Sequence, residues 1–172
     1  MNTIVEIKSA KSLTQAEQQE VDALMKRAFT GEEDDLVWSE VDWYIWLRED
    51  GVMVSILEII TRTVTVDEQP LLVGGIGGVG TDPAWRGRGL ASQCMCSAID
   101  FIHSTIEADY GLLICDQHLV SFYSVLGWEV INDPVYFDQP SGKWKNNALT
   151  LVYALTRRPW PKGKVDMNGL PW

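Results

Sequence analysis

Histidine and cysteine are scarce in this sequence, with two of the first and three of the second in 172 residues. A zinc centre needs such ligands at regular spacing, and His103, His118, Cys94, Cys96 and Cys115 do not provide it, so no metal is expected. An odd cysteine count, with Cys94 and Cys96 two residues apart, is no disulfide framework; the three are expected as core thiols in a reducing cytosol. No uninterrupted apolar run reaches the roughly 18 residues of a membrane span, and MNTIVEIKSAKSLTQ lacks the basic-then-apolar pattern of an export signal. A soluble, cytoplasmic chain with no membrane partner is expected. Basic residues are also in deficit, 14 Lys and Arg against 24 Asp and Glu, for a formal net charge of −10. That balance disfavours nucleic acid, whose phosphates are bound by neutralisation. It favours cationic partners through long-range attraction, or serves solubility alone.

What is present is ordinary for a folded domain: 46% hydrophobic and 22% charged residues, too apolar for disorder. The length suits one domain spanning 1–172. TIVEIK alternates as a strand, and LTQAEQQEVDALMKRAF spaces its apolar residues as a helix, started by a capping box of Thr14 and Glu17 and stopped at Gly31. A dense acidic segment, GEEDDLVWSE, follows. WYIWLREDG and VMVSILEIITRTVTVD form a hairpin turning at Asp50-Gly51, and DEQP turns into a third strand, LLVGGIGGVG, of an antiparallel meander. Leu90–Ile106 is helical in pattern, YGLLICD a short buried strand, and LVSFYSVLG a helix closed by Gly127. WEVIN and ALTLVYALT add strands, with DPVYFDQPSGKWKNN as the loop between them. The order is α+β with most strands antiparallel.

The stretch GGVGTDPAWRGRGLASQCM sets five glycines and two arginines at a strand-to-helix junction. Glycines there let backbone N–H groups approach an anion at the positive helix end, and arginine can grip a phosphate. A tight turn without a ligand needs fewer of both. The Lys-Ser/Thr pair of a nucleoside triphosphate loop is missing.

TDPAWRGRGLAS resembles the coenzyme A binding motif of the GNAT superfamily of N-acetyltransferases, with Arg86, Gly89 and Ala91 at its three marked places. SFYSVLGW resembles the second acyl-CoA motif. The resemblance implies a GNAT acyl-CoA N-acyltransferase fold, a mixed, mostly antiparallel central sheet flanked by helices. Acetyl-CoA would be the co-substrate, held by Val79, Gly80 and Thr81 along the pantetheine arm and by Arg86, Gly87, Arg88, Gly89, Leu90 and Ala91 at the pyrophosphate.

Acetyl transfer to an amine needs the neutral amine, hence a base, and a proton for the departing thiolate. Tyr123 sits where the family places its tyrosine acid; alternatively it only packs on the cofactor. Within the superfamily the chain is similar to aminoglycoside 2′-N-acetyltransferases in its acidic segment, in VGGIGGVGTDPAWRGRG and in the final NGLPW. That similarity implies a cationic small-molecule amine as substrate, drawn to Glu32, Glu33, Asp34 and Asp35, with Trp172 and Asp166 near it; the same acids also read as a solvated loop. One departure stands out: those enzymes carry a glutamate base on the strand before the loop, and the matching residue here is Gly77. Replacement bases are Glu58, Asp116, His118 or the Trp172 carboxylate through water. Trp38, Trp43, Trp46 and Trp144 are candidates to line an acceptor pocket, or else core or homodimer contacts. Peptide, protein or polyamine acetylation, and a non-catalytic acyl-CoA binding module, are the alternatives.

Overall fold

The alternating residues at the start form β1 (Thr3–Ser9), antiparallel to β2 (Trp43–Glu49). Between them lies α1 (Gln15–Ala28), started by a complete capping box: the Thr14 hydroxyl accepts the Glu17 N–H at 3.2 Å and the Glu17 carboxylate accepts the Thr14 N–H at 2.7 Å. The computed structural model describes residues 2–31 and 35–172. Asp50 and Gly51, with φ of 48° and 86°, turn β2 into β3 (Val52–Val66), which pairs with β4 (Gln69–Thr81). This is the meander expected from the sequence.

Helix α2 (Leu90–Phe101), prolonged by a wider turn to Ile106, leads to β5 (Tyr110–Cys115). Helix α3 (Val120–Val125) ends at Gly127, φ 91°, before β6 (Glu129–Ile131). The segment read as a loop is instead a hairpin of β7 (Val135–Gln139) and β8 (Gly142–Lys145). Its strands are short and bounded by Pro134 and Pro140, which hid an alternation that buries Val135, Phe137 and Gln139. After β9 (Leu149–Ala154) comes a two-residue β10 (Val165–Asp166), too short to show a period.

These strands form one sheet in the order β6-β9-β5-β4-β3-β10-β7-β8, with β2 and β1 continuing from β3. Only β4–β5 and β10–β7 are parallel among the described pairings. Helix α2 covers one face through Leu90, Met95 and Ile102 against Leu57, Ile59 and Ile76. Helix α1 covers part of the other, with Val21 and Leu24 against Tyr44, Trp46 and Ile56. Beside α1, Met167 and Trp172 of the C-terminal segment pack over Ile60, Val73 and Leu112. Cys94 and Cys115 are buried, but Cys96 is exposed on α2 and is no core thiol.

Candidate active site

Strands β4 and β5 pair only from Val73–Tyr110 to Ile76–Leu113, after which β4 runs on to Thr81 without β5 beside it. The parallel ladder therefore opens into a fork, and the β5-facing polar groups of residues 77–81 lack a strand partner. On its other edge β4 stays paired to β3 but bulges: Ile56 pairs with Gly80 and Glu58 with Gly77, so two β4 residues oppose one. Gly78, at φ 54°, is the residue that makes this possible without strain. Because a bulge shifts the side-chain alternation by one, Gly77, Gly78 and Gly80 all turn to the α1 face.

The loop beyond the fork is braced from within. Asp82 accepts from Ala84 N–H and from Arg27 Nε of α1 at 2.7 Å, and these bonds, the Arg27 one first, hold its carboxyl below its ordinary range. The Arg86 guanidinium donates to the Thr81 carbonyl at 3.2 Å and to the Ala28 carbonyl at 2.8 Å, so it ties the loop to the end of α1. Arg88 lies over the Trp85 ring at 4.6 Å. Gly87 and Gly89, at φ 76° and 73°, have open space where a side chain would begin. Gly89 is the N-cap of α2 and offers no side-chain cap, and the first intrahelical bond runs from Gln93 N–H to its carbonyl. The N–H groups of Leu90, Ala91 and Ser92 therefore point out of the helix end with its partial positive charge. A pyrophosphate fits this donor set through its backbone, more than through the Arg86 side chain that the sequence put forward.

On the α1 face, the glycines of β4 lie under other groups. A Cβ on Gly75 would run into the Trp172 indole, one on Gly77 would meet the main-chain carbonyl carbon of Trp172 at 2.9 Å, and one on Gly78 the Glu58 carboxyl at 2.7 Å. Trp172 is buried, and its Nε1 donates to the Leu112 carbonyl of β5 at 3.2 Å, bridging both prongs where the fork begins. Glu58 stands between the ground of α1, at Ile56, and that of the C-terminal segment, at Ile60. Burial pushes its pKa up, and among the described residues no cation faces it. Tyr44, its cross-strand neighbour on β2, is pushed up to about 12 by burial and then by the Glu58 charge.

The remaining sequence candidates are dispersed. Tyr123 is 6% exposed in the α2-face core, against Phe122 and Trp128. Burial, and next the neighbouring Cys115, raise its pKa, so its hydroxyl keeps its proton. Asp116 and His118 are exposed beyond the end of β5. Asp166 is not brought to the fork: it pairs with Thr65 on β3, seven residues and so about 23 Å along that strand from Glu58. Its carboxylate binds Lys143 at 2.7 Å. Burial opposes its charge, but Lys143 and the Asn168 N–H bring its pKa below the usual range. Asp35 is exposed, while Glu32, Glu33 and Asp34 lie outside the described residues. Trp46 lines no pocket; it is 1% exposed and donates to Glu6. Trp43 packs on Phe101, and Trp38 and Trp144 are about half exposed, at 49% and 44%. A cleft of about 760 Å³ between β6 and residues 156–162 includes none of these candidates.

Sequence reasoning missed Arg62. It lies on β3 in alternation with the buried Ile60 and Val64, and a lone cation in a row of inward apolar positions is the signal that marks it. Its guanidinium donates to the Leu170 carbonyl at 2.6 Å and to Ser39 Oγ at 2.6 Å, and lies 5.0 Å from the centre of the Trp172 ring.

None of the curated proteins matches this chain. Among solved structures it is similar to a GNAT family N-acetyltransferase (YhbS) of Escherichia coli in complex with CoA, at 17% identity over 96% of this chain and 89% of that one, TM-score 0.68. A GNAT family acetyltransferase of Brucella melitensis in complex with acetyl-CoA matches at 14% identity over 94% of both chains, TM-score 0.64. Eis1 of Mycobacterium abscessus matches at 15% identity over 77% of this chain, TM-score 0.60, and the match spans only 33% of that protein. Residues 9–131 match the family model described as an acetyltransferase (GNAT) domain. With the fork, the bulge and the glycine-opened helix end all inside that range, the chain belongs to the GNAT acetyltransferases.

Proposed function

We propose that the protein transfers acetyl from acetyl-CoA directly to an amine of a cationic, aminoglycoside-like small molecule, with Glu58 as the base and Tyr123 as the acid. The observation that carries this reading is the place of Glu58: a half-buried carboxyl against Gly78, at the bulge where β4 leaves β5.

The residues present fit the co-substrate. Residues 77–81 have no β5 strand beside them, and their β5-facing groups, the Thr81 carbonyl held by Arg86 excepted, can serve an extended arm as an added strand would. The open end of α2 suits a pyrophosphate. Similar structures with CoA or acetyl-CoA bound support the same assignment. Acetyl-CoA supplies an activated thioester carbonyl at the fork. From the opposite face an ammonium group is drawn to the Glu58 carboxylate, which takes its proton; burial raises the affinity of Glu58 for that proton and so makes it the stronger base. The freed lone pair forms the N–C bond as the C–S bond breaks, and the nitrogen gives up its remaining surplus proton to solvent. In this reading Tyr123, kept protonated by burial, hydrogen-bonds or protonates the leaving sulfur.

Thiol release from acetyl-CoA against aminoglycosides, polyamines and short peptides tests the reading, with an enzyme-only blank for exposed Cys96. Turnover with a polycationic amino sugar, slowed about 10²-fold in both Glu58→Gln and Tyr123→Phe, is the expected result. Turnover confined to peptides would move the acceptor to that class. Full activity in Glu58→Gln would remove the base assigned here.

A further inference from the structure

We propose that Arg62 is a positioning residue for the acceptor: it locks residues 167–172 against residues 35–41, so that Trp172 closes the α1 face of the fork beside Glu58. The inference rests on the acceptor arriving on that face, as the proposed function has it.

Arg62 gathers three pieces of chain that share no sheet pairing with one another at this point. From β3 its Nη1 donates to the Leu170 carbonyl at 2.6 Å and reaches the Met167 carbonyl at 3.5 Å, while Nη2 donates to Ser39 Oγ at 2.6 Å. Its face rests on the Trp172 ring, 5.0 Å away. Gly169 is fitted to it as closely, since a Cβ there would lie 2.9 Å from the guanidinium carbon. Ser39 N–H donates in turn to the Pro171 carbonyl at 2.8 Å, so the two segments clasp each other across the arginine. The planar fork is needed, because one donor group serves carbonyls on one side and a hydroxyl on the other while its face covers an indole. Trp172 then lies over Gly75 and Gly77 and bonds to Leu112, directly beside the Glu58 carboxyl at Gly78. Trp172 covers Gly77, but among the described residues no hydrogen bond joins this clasp to residues 79–92, where the proposed cofactor groups lie.

Arg62→Met and Arg62→Lys are compared with wild type by two readings. With the amine that turns over, the acceptor KM should rise at least tenfold in Arg62→Met and by less in Arg62→Lys, while the acetyl-CoA Kd stays within twofold. Independently of activity, hydrogen exchange at the Trp172 indole N–H, assigned from Trp172→Phe, should accelerate at least tenfold in Arg62→Met. The Trp46 indole N–H, held by Glu6 of β1 and remote from the clasp along the same face, should keep its rate. Equal acceleration at both indoles would mean general loosening and overturn the proposal, as would unchanged exchange at Trp172. If no amine turns over, the proposed acceptor fails, and the exchange comparison alone decides whether Arg62 holds Trp172.

Discussion

Glu58 has Ile56 and Ile60 as its neighbours along one strand face, both buried, and Tyr44 across the ladder. A carboxyl in that row keeps its proton longer than it would in water, because burial disfavours the charge and no cation offsets it. Two consequences run in the same pH interval. Activity that needs the carboxylate rises through an inflection above the ordinary glutamate value of about 4.3. Stability moves the other way. The folded protein binds this proton more tightly than the unfolded chain does, so the contribution of Glu58 is fully present below the unfolded value and is lost as pH rises through the folded one. Glu58→Gln removes both effects: kcat/KM for the acceptor falls about 10²-fold, and the melting temperature at pH 4 drops relative to that at pH 8, compared with the wild-type pair. A variant with the wild-type pH dependence of melting would show that Glu58 is not the half-buried titrating group.

At the scale of the element, β4 joins what the sequence revealed to what it hid. Its glycines were legible as a cluster and were read as an opening toward phosphate. In the structure only Gly87 and Gly89, beyond the strand, have open space, whereas Gly75 and Gly77 are bare because Trp172 lies on them. That relation joins residues about a hundred positions apart, which no local period reports. The meander, the capping box and the two helices after β4 followed from short-range pattern. The β7–β8 hairpin did not, since prolines cut its alternation short, and the site neighbours Arg62 and Gly78 emerged only with the sheet register. A glutamate placed at position 77 tests this picture. Gly77→Glu must displace the main chain of Trp172, so it should lower stability by roughly 1–3 kcal/mol, a melting shift of about 2–4 °C per kcal/mol for a chain of this size. Acceptor turnover should fall. A gain in activity would show that the C-terminal segment leaves that face readily.

For the whole molecule the dominant long-range quantity is the net charge of −10. Its carboxylates reach an approaching polycation over distances set by salt, with a Debye length of about 10 Å at 0.1 M and about 3 Å at 1 M. A multiply charged acceptor should therefore bind worse as salt is added, its KM rising on the order of tenfold from low salt to 0.5 M, with smaller effects on kcat. Acetyl-CoA provides an internal comparison, because the overall charge repels it at long range while, in the proposed binding mode, Arg86, Arg88 and the end of α2 attract it at the loop. Salt weakens both contributions, so its KM should change less than that of the acceptor. A monoamine of similar size should show an intermediate slope, since the attraction scales with the charge carried. Steady-state kinetics at fixed pH across a salt series measures all three. Equal slopes for the polyamine and the monoamine would assign acceptor recognition to contacts within the fork, with Glu58 foremost, and would leave the acidic surface to solubility alone.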